Sequence, residues 1–338
     1  MSPVYEVAVV GATGAAGEAL LERLSGSGLP LGGVHALCDG GQAGARVAFG
    51  GRRIAAEPMG DFNFAGTRIA FFCPGGGVTA DLADRASEAG ALVIDSAGLL
   101  LGDPDVPLVV PGVNPQALGA LGRRGAVAVP DAAAAQLIEV LAPLDRSFGL
   151  ARVEVVTLLA VGSAGRNGVE ELAGQSAQLL NGRPIEPRVF SSQIAFNLIP
   201  AVGPLEADGF SRAESALVDQ VLRVLGGAPV VNASFLAVPV FYGDAQVVHL
   251  ETRDPVSPTD ARELWTSAGI RVGNGEPAAS LATPVTHAAR EDALFVERVR
   301  QSAIGSRGLN LWVLSDGVRR GCAYNSVQIA DILVKNYL

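Results

Sequence analysis

Apolar runs alternate with helix-type patterns along the first 130 residues. Residues 4–10 form an apolar run typical of a buried parallel strand, and the glycine-rich stretch GATGAAG follows directly at 11–17. Residues 18–28 have the spacing of an amphipathic helix closed by glycine. The same pattern predicts further strands over 33–38, 67–73 and 91–97, and a helix over 78–90. Strands and helices that alternate in this way indicate a doubly wound parallel sheet.

The pattern changes beyond about residue 150. A helix is predicted over 131–148, and a final helix over 324–338. Between them lie longer runs rich in β-branched and aromatic residues, with fewer helical segments: 153–163, 228–243, 245–253 and 309–317. Such runs favour an antiparallel or mixed sheet. The chain is therefore predicted to be an α/β protein with a Rossmann-type domain and a second, α+β domain built on a large mixed sheet.

Composition narrows the class of protein. The 338 residues are 49% hydrophobic and 17% charged, with a net charge of −9, which is typical of globular proteins with real cores. The chain has no basic block, so nucleic acid and anionic membranes are poor partners. The apolar stretch 226–243 carries two prolines and an asparagine, so no membrane span is predicted. The N-terminus lacks the features of a signal peptide, and we expect a cytoplasmic protein.

Cysteine and histidine are scarce. Cys38, Cys73 and Cys322 are unevenly spaced in apolar surroundings, and the three histidines lie far apart in the sequence. This favours reduced core thiols over disulfides, and no metal site is predicted.

The stretch at 11–17 has the chemistry of a phosphate-binding loop. Gly11, Gly14 and Gly17 allow a sharp turn, expose backbone N–H groups at a helix N-terminus and let helix and strand approach closely. Asp39 lies where a carboxylate can accept both ribose hydroxyls and repel a 2′-phosphate, which favours NAD over NADP. Two alternatives stay open: glycine turns of this kind also occur in folds that bind nothing, and Asp39 can be a solvated turn residue.

Longer motifs carry a resemblance to aspartate-semialdehyde dehydrogenase over nearly the whole chain. They are GATGAAG at 11–17, DPDVPLVVPGVNP at 103–115, GVEELAGQ at 168–175, AFNLIP at 195–200, ATPVTHA at 282–288 and SDGVRRGCAYNSVQIA at 315–330. The resemblance implies a dinucleotide-binding domain over 1–130 and 316–338, and a catalytic-type dimerisation domain over 131–315. It also implies a homodimer, NADP-dependent chemistry and a role in amino-acid biosynthesis. In that family a cysteine thiolate attacks the aldehyde, a histidine moves protons, and phosphate cleaves the acyl-enzyme.

The residues that match the family's reactive positions have lost their chemistry. By the resemblance, Ala132 stands in place of the nucleophilic cysteine and Asp244 in place of the histidine. Leu159 replaces a glutamine and Ala237 an arginine that hold the substrate, and Leu101 and Ala216 replace the arginine and lysine that hold phosphate. A methyl group cannot form a thiohemiacetal. An ordinary aspartate is a poor base at neutral pH without a strong shift of its pKa. Asp131 is interpreted as a helix cap rather than a catalytic group.

The positions that match the nucleotide site are better kept. Asn325 matches an asparagine at the nicotinamide end, whereas Asp39 and Gly41 replace the serine and arginine that hold a 2′-phosphate. NAD is thus the preferred cofactor, NADP is less favoured, and a scaffold that binds neither is the third case. The predicted cofactor-binding residues are Gly11, Thr13, Gly14, Ala15, Ala16, Gly17, Asp39, Gly75, Gly76 and Asn325.

These losses are similar to those of the Usg-type paralogues of the family. We expect a catalytically silent dimer, formed with itself or with an active dehydrogenase subunit. One alternative is an NAD(P)-dependent oxidoreductase that acts on an aldehyde or oxo group by direct hydride transfer. A dehydrogenase of the parent type requires that Ala132 not be the residue that matches the cysteine.

Overall fold

The computed structural model describes residues 4–122, 124–227, 229–273 and 281–338. The chain forms two compact units, Met1–Asp131 with Gly321–Leu338, and Ala132–Arg320. Each unit has its own six-stranded sheet. The predicted fold class, a parallel Rossmann-type sheet beside a mixed sheet, is confirmed.

The first unit is built on a parallel sheet with strand order β5-β2-β1-β6-β7-β8. The central strands β1 and β6 are apolar runs buried on both faces, as a parallel sheet covered by helices requires. The strands of this sheet are β1 (Tyr5–Val10), β2 (Leu31–Cys38), β5 (Glu57–Pro58), β6 (Ile69–Phe72), β7 (Leu92–Asp95) and β8 (Ala126–Ala128). Strands β3 (Arg46–Phe49) and β4 (Arg52–Ala55) form a separate hairpin.

The α-helices in the described part of this unit are α1 (Ala15–Ser25), α2 (Ala80–Glu88) and α7 (Asn325–Asn336). Helix α1 begins three residues before the predicted start, so Ala15, Ala16 and Gly17 form its first turn instead of a loop. Helix α2 begins after Thr79, whose side chain accepts a hydrogen bond from the backbone N–H of Leu82. The C-terminal helix α7 packs against α1 and β7, which places Asn325 in this unit.

The second unit carries a mixed sheet with strand order β10-β9-β11-β14-β13-β12. Two pairs, β9 with β10 and β12 with β13, are parallel, and the other pairs are antiparallel. The strands are β9 (Leu150–Ala160), β10 (Val230–Val238), β11 (Asp244–Thr252), β12 (Arg271–Val272), β13 (Phe295–Ser302) and β14 (Gly305–Ser315).

Within the described residues, the α-helices that accompany this sheet are α3 (Ala132–Phe148), α4 (Gly165–Leu180), α5 (Arg212–Leu225) and α6 (Pro258–Ser267). Helix α3 is mostly buried and packs against β9, β11 and β14 as well as α5 and α6. The indole N–H of Trp265 in α6 donates to the backbone carbonyl of Val140 at 2.8 Å, which joins α6 to α3. Helix α5 starts with a reciprocal cap between Ser211 and Glu214.

Among the residues that the structure describes, no helix combines the length and the apolar character needed to cross a membrane.

Candidate functional site

The glycine loop between β1 and α1 is closed by tight backbone contacts. A Cβ atom on Gly17 would lie 2.2 Å from the carbonyl oxygen of Gly11, and one on Gly11 would lie 2.7 Å from the carbonyl oxygen of Cys73. Gly11 also has a left-handed φ of 83°. Glycine at these two positions is therefore a steric requirement, because any side chain would push α1 away from the ends of β1 and β6.

Helix α1 presents its N-terminus at this loop. Gly14 occupies the N-cap position and supplies no side-chain cap. The backbone N–H groups of the first turn, which include Ala15, Ala16 and Gly17, thus have neither an intrahelical partner nor a capping oxygen. Free N–H groups and the positive end of the helix dipole together suit an anionic ligand such as a diphosphate.

Asp39 follows β2 directly and lies exposed at the same end of the sheet. Its carboxylate approaches the loop after β6, because a Cβ on Gly77 would lie 3.3 Å from Oδ1 of Asp39. Gly75 lies close to Gly11, with 3.4 Å between its Cβ position and Cα of Gly11, whereas the Cβ position of Gly76 faces open space. A distance of 3.4 Å is an ordinary van der Waals contact, so packing does not require glycine at Gly75 or at Gly76.

Gln42 joins this group although sequence reasoning did not single it out. Its Oε1 accepts a hydrogen bond of 2.6 Å from the hydroxyl of Thr13, across 29 positions in the chain. The turn Gly40–Gln42 is thereby tied to the phosphate loop. Only the fold brings these two residues together; the sequence signal was limited to a polar residue three positions after Asp39.

Asn325 is 1% exposed, and its Nδ2 has no hydrogen-bond partner among the residues that the structure describes. A buried amide without a partner costs free energy, about 1–3 kcal/mol. A ligand that accepts from Nδ2 would remove that cost. The glycine cradle and this orphaned amide both fit a nicotinamide nucleotide, and Asn325 would hold its carboxamide end.

In the second unit, Ala132 and Asp244 meet at Gly317. A Cβ on Gly317 would lie 3.1 Å from Cβ of Ala132 and 2.2 Å from Oδ2 of Asp244. Ala132 is the first residue of α3, and Asp244 is the first residue of β11. Two residues 112 positions apart in the sequence therefore lie beside the same glycine.

The carboxyl group of Asp244 is held in an unusual environment. Its Oδ1 accepts hydrogen bonds from the backbone N–H of Ala160 at 2.8 Å and from the hydroxyl of Ser163 at 3.3 Å. Burial raises the pKa of Asp244 to about 7. The hydrogen bond from Ala160 opposes this rise, and the nearby carboxylate of Asp316 adds to it. The ordinary value for aspartate is near 4. Asp244 can thus exchange a proton near neutral pH.

Leu159 and Ala237 are directly paired across β9 and β10. Ala237 is buried and exchanges two backbone hydrogen bonds with Ile199, at 2.9 and 3.0 Å. It belongs to an apolar cluster with Val161, Leu172, Ile194, Ala195 and Ile199. The apolar side chains of this cluster provide no negative charge that could pair with a buried cation.

Leu101 and Ala216 lie in different units, and each is half-buried. Leu101 follows β7, close to Gly98, and Ala216 lies within α5. Neither side chain can donate a hydrogen bond or carry charge. Among the described residues, no group of three or more histidine, cysteine, aspartate or glutamate side chains is arranged to hold a metal ion.

Comparison with known proteins agrees with the two-unit fold. The semialdehyde dehydrogenase NAD-binding domain matches residues 6–121, and the semialdehyde dehydrogenase dimerisation domain matches residues 141–320. The chain is 38% identical to aspartate-semialdehyde dehydrogenase of Shewanella sp. strain DB6705, over 100% of both chains. The chain belongs to the aspartate-semialdehyde dehydrogenase family.

Two further relatives place it within that family. The USG-1 protein homolog of Pseudomonas aeruginosa is 39% identical over 100% of both chains. The crystal structure of aspartate semialdehyde dehydrogenase II from Vibrio cholerae, complexed with ASA, is 37% identical, with a TM-score of 0.95 and 100% coverage of both chains. The family thus includes relatives of similar identity under both the dehydrogenase and the USG-1 names.

The fold of the family brings together some of the predicted site residues. Ala132 and Asp244 meet at one point, Leu159 and Ala237 are paired, and Gly11, Thr13, Gly17 and Asp39 lie around one end of the parallel sheet. The roles assigned to these residues, as lost catalytic positions and kept cofactor positions, stay predictions.

Proposed function

We propose that this member of the aspartate-semialdehyde dehydrogenase family is a nucleotide-binding dimer without semialdehyde dehydrogenase activity. The observation that carries the proposal is the meeting of Ala132 and Asp244 at Gly317. The resemblance assigns the nucleophile and the proton-transfer group to these two positions, and such groups must lie close together to act. Their closeness here supports that assignment, and a methyl group offers no electron pair for attack.

The anchors of substrate and phosphate support the same conclusion. Leu159 and Ala237 carry apolar side chains side by side, and Ala237 is packed in an apolar cluster. Leu101 and Ala216 likewise lack the charge that an anion needs in a desolvated site. We infer that losses at six positions removed the parent reaction while the scaffold was retained.

A turnover assay tests this proposal. Purified protein is mixed with aspartate semialdehyde, inorganic phosphate and NAD or NADP, and formation of the reduced nucleotide is followed by absorbance. A Shewanella-type relative serves as the active control. Loss of a nucleophile from a cooperating unit costs on the order of a millionfold in rate, so we expect no signal above background. Turnover within about a hundredfold of the control would overturn the proposal.

We infer further that the first unit binds NAD. Asp39 is positioned to accept the ribose hydroxyls, and its charge would repel the 2′-phosphate of NADP. The functional domains are proposed to span 1–130 with 316–338, and 131–315, close to the two compact units. Calorimetric titration with NAD, NADP and their reduced forms tests this: NAD binding is expected, NADP binding weaker, and no binding of either would reject it.

The dimerisation domain supports a homodimer in solution, and the cytoplasm is the proposed location. A mixed dimer with an active dehydrogenase subunit is the alternative assembly. Co-expression of the two chains with different affinity tags distinguishes them: the mixed dimer is recovered through both tags, and the homodimer through one.

A second function is favoured by the pKa of Asp244, which lies near 7. In this case the protein is an oxidoreductase for which the bound nucleotide supplies hydride chemistry, and Asp244 holds or releases a proton at the oxygen of an aldehyde or alcohol. No thiol is required. Screening small aldehydes and alcohols with NAD or NADH tests it: turnover must be present in the native protein and abolished in Asp244→Asn.

A further inference from the structure

Two of the three cysteines lie together in the first unit. Cys73 immediately follows β6, and Cys322 lies in the wide helical turns that precede α7. Their sulfur atoms are 3.9 Å apart, although 249 positions separate them in the sequence. Both thiols are free and buried, with exposed fractions of 0% for Cys73 and 8% for Cys322.

The pair is embedded in the residues proposed to bind the nucleotide. The backbone carbonyl of Cys73 lies 2.7 Å from the position that a Cβ on Gly11 would take, and its N–H donates to the carbonyl of Val10. Cys322 precedes Asn325 by three residues. A change in the separation of the two sulfurs would therefore act on the phosphate loop and on the Asn325 segment together.

Ser96 contacts one of the two thiols. Its Oγ donates to the carbonyl of Phe72 at 2.9 Å and lies 2.9 Å from Sγ of Cys322. The hydrogen bond with Cys73, and then that with Ser96, lower the pKa of the Cys322 thiol against the opposing effect of burial. The same contact with Cys322, together with burial, raises the pKa of Cys73. Cys322 keeps the larger exposed fraction, 8% against 0% for Cys73, so it is the thiol that a peroxide reaches first.

We propose that Cys73 and Cys322 form a reversible redox modification site, in which a disulfide between them restrains the nucleotide-binding end of the first unit. The bond requires the sulfurs to close from 3.9 Å to about 2.05 Å. The site follows from the contact of the two sulfurs alone; its effect on affinity rests on the proposed NAD binding.

A hydroperoxide is the oxidant that completes the chemistry. The Cys322 sulfur attacks one oxygen of hydrogen peroxide, which gives a sulfenic acid and releases water. The Cys73 sulfur then attacks the Cys322 sulfur, the S–O bond breaks, and the thiol proton of Cys73 leaves with hydroxide as a second water. Two thiols lose two electrons, and one peroxide gains them. A dithiol such as dithiothreitol reverses the bond by exchange.

Mass mapping of the full chain tests the site. Reduced protein is treated with hydrogen peroxide, alkylated under denaturing conditions and digested with trypsin. Cys73 falls in peptide 69–85, Cys322 in 321–335 and Cys38 in 24–46. We expect a dithiothreitol-sensitive link between 69–85 and 321–335, and alkylation of one cysteine in place of three. Three free thiols after oxidation, or a link to 24–46, would overturn the proposal.

Three serine variants sharpen the result. Cys73→Ser and Cys322→Ser should lose the link, whereas Cys38→Ser, a matched change at another buried thiol, should keep it. Persistence of a link in either of the first two variants would contradict the assignment.

Calorimetry of both redox forms measures the consequence. Oxidation is expected to weaken NAD binding about tenfold or more, because loss of one charge-assisted hydrogen bond to phosphate has that effect. Equal NAD affinities of the oxidised and reduced proteins would refute the proposal that the disulfide restrains the nucleotide-binding end. If reduced protein fails to bind NAD, the proposed function is rejected, and the peptide link still decides whether the redox site exists.

Discussion

At the scale of the residue, Asp244 combines a buried position with a proton that leaves near neutral pH. Oδ1 already accepts two hydrogen bonds, so the proton of the neutral form resides on Oδ2, beside Gly317. Ionisation places a negative charge in a desolvated site near Asp316, and the two donors to Oδ1, the backbone of Ala160 and the hydroxyl of Ser163, are both uncharged. The neutral acid is thus the form that the fold accommodates best.

The pH dependence of stability follows from this pKa. Because the folded-state pKa lies above the unfolded-state value of 3.8, the neutral acid stabilises the fold fully below pH 4. That contribution is lost as the pH rises through about 7. One pKa unit corresponds to about 1.4 kcal/mol, so the shift from 3.8 to about 7 lowers the free energy of unfolding by roughly 4 kcal/mol at high pH.

Asp244→Asn should remove most of this loss. The amide keeps an oxygen acceptor for Ala160 and Ser163 but cannot ionise. Thermal unfolding should therefore give similar Tm values for the two proteins at about pH 3.5, and a Tm of the variant that is increasingly the higher one as the pH rises to 8. The measurement at about pH 3.5 is the internal control. Parallel Tm curves from pH 5 to pH 8 would show that Asp244 does not titrate in this range.

Asp39 governs a second prediction at this scale. In Asp39→Ser, the charge that excludes a 2′-phosphate is removed together with the acceptor of the ribose hydroxyls. NAD affinity should fall about tenfold, and the preference for NAD over NADP should narrow or reverse, as measured by calorimetry. Gly60→Ala is the control from the same unit, because its Cβ would enter open space and it is not a predicted cofactor-binding residue. Unchanged discrimination in Asp39→Ser would exclude Asp39 from the ribose site.

At the scale of the element, the strand-loop-helix at the N-terminus depends on close backbone packing. Gly17→Ala would place a methyl group 2.2 Å from the carbonyl oxygen of Gly11, within backbone that has little freedom to move. Overpacking of this kind costs about 1–3 kcal/mol. We expect a lower Tm and loss of NAD binding.

Gly174→Ala provides the matched helical control. Gly174 lies in α4, and nothing is within 4 Å of its Cβ position. Alanine there should raise stability by about 0.5–1 kcal/mol and leave NAD binding unchanged. The same loss of stability and binding in both variants would show that the close contact at Gly17 is not the cause.

The elements also show what sequence can predict. The buried strands β1 and β6 are uninterrupted apolar runs, and the patterns of α1, α2, α3 and α7 predict those helices, whereas α4, α5 and α6 were not predicted. The hairpin of β3 and β4 was missed because it exposes most of its residues, although Gly50 and Gly51, both with left-handed φ, supplied a turn signal. The pairing of Leu159 with Ala237 depends on the register of two distant strands, which no local pattern contains.

At the scale of the whole molecule, the predicted loss of the parent reaction is spread over distant parts of the chain. Ala132 and Asp244 occupy the predicted positions of the nucleophile and the proton-transfer group in the second unit. Ala237 and Leu101 occupy the predicted positions that bind substrate and phosphate. Groups that act as a unit contribute non-additively to rate, so recovery of one pair leaves the others limiting. Activity is thus expected to return only when all of these positions are restored together.

The double variant Ala132→Cys, Asp244→His tests this reasoning. It restores the nucleophile and the proton-transfer group, yet Leu101 and Ala237 still supply no cation for phosphate or for the substrate carboxylate. We expect no measurable conversion of aspartate semialdehyde with phosphate and either nucleotide. Thiol titration under denaturing conditions, rising from three to four, confirms that the new thiol is present and reduced. If the double variant turned over the semialdehyde, the anchors missing at Leu101 and Ala237 would be dispensable. The loss of activity would then be due to Ala132 and Asp244 alone.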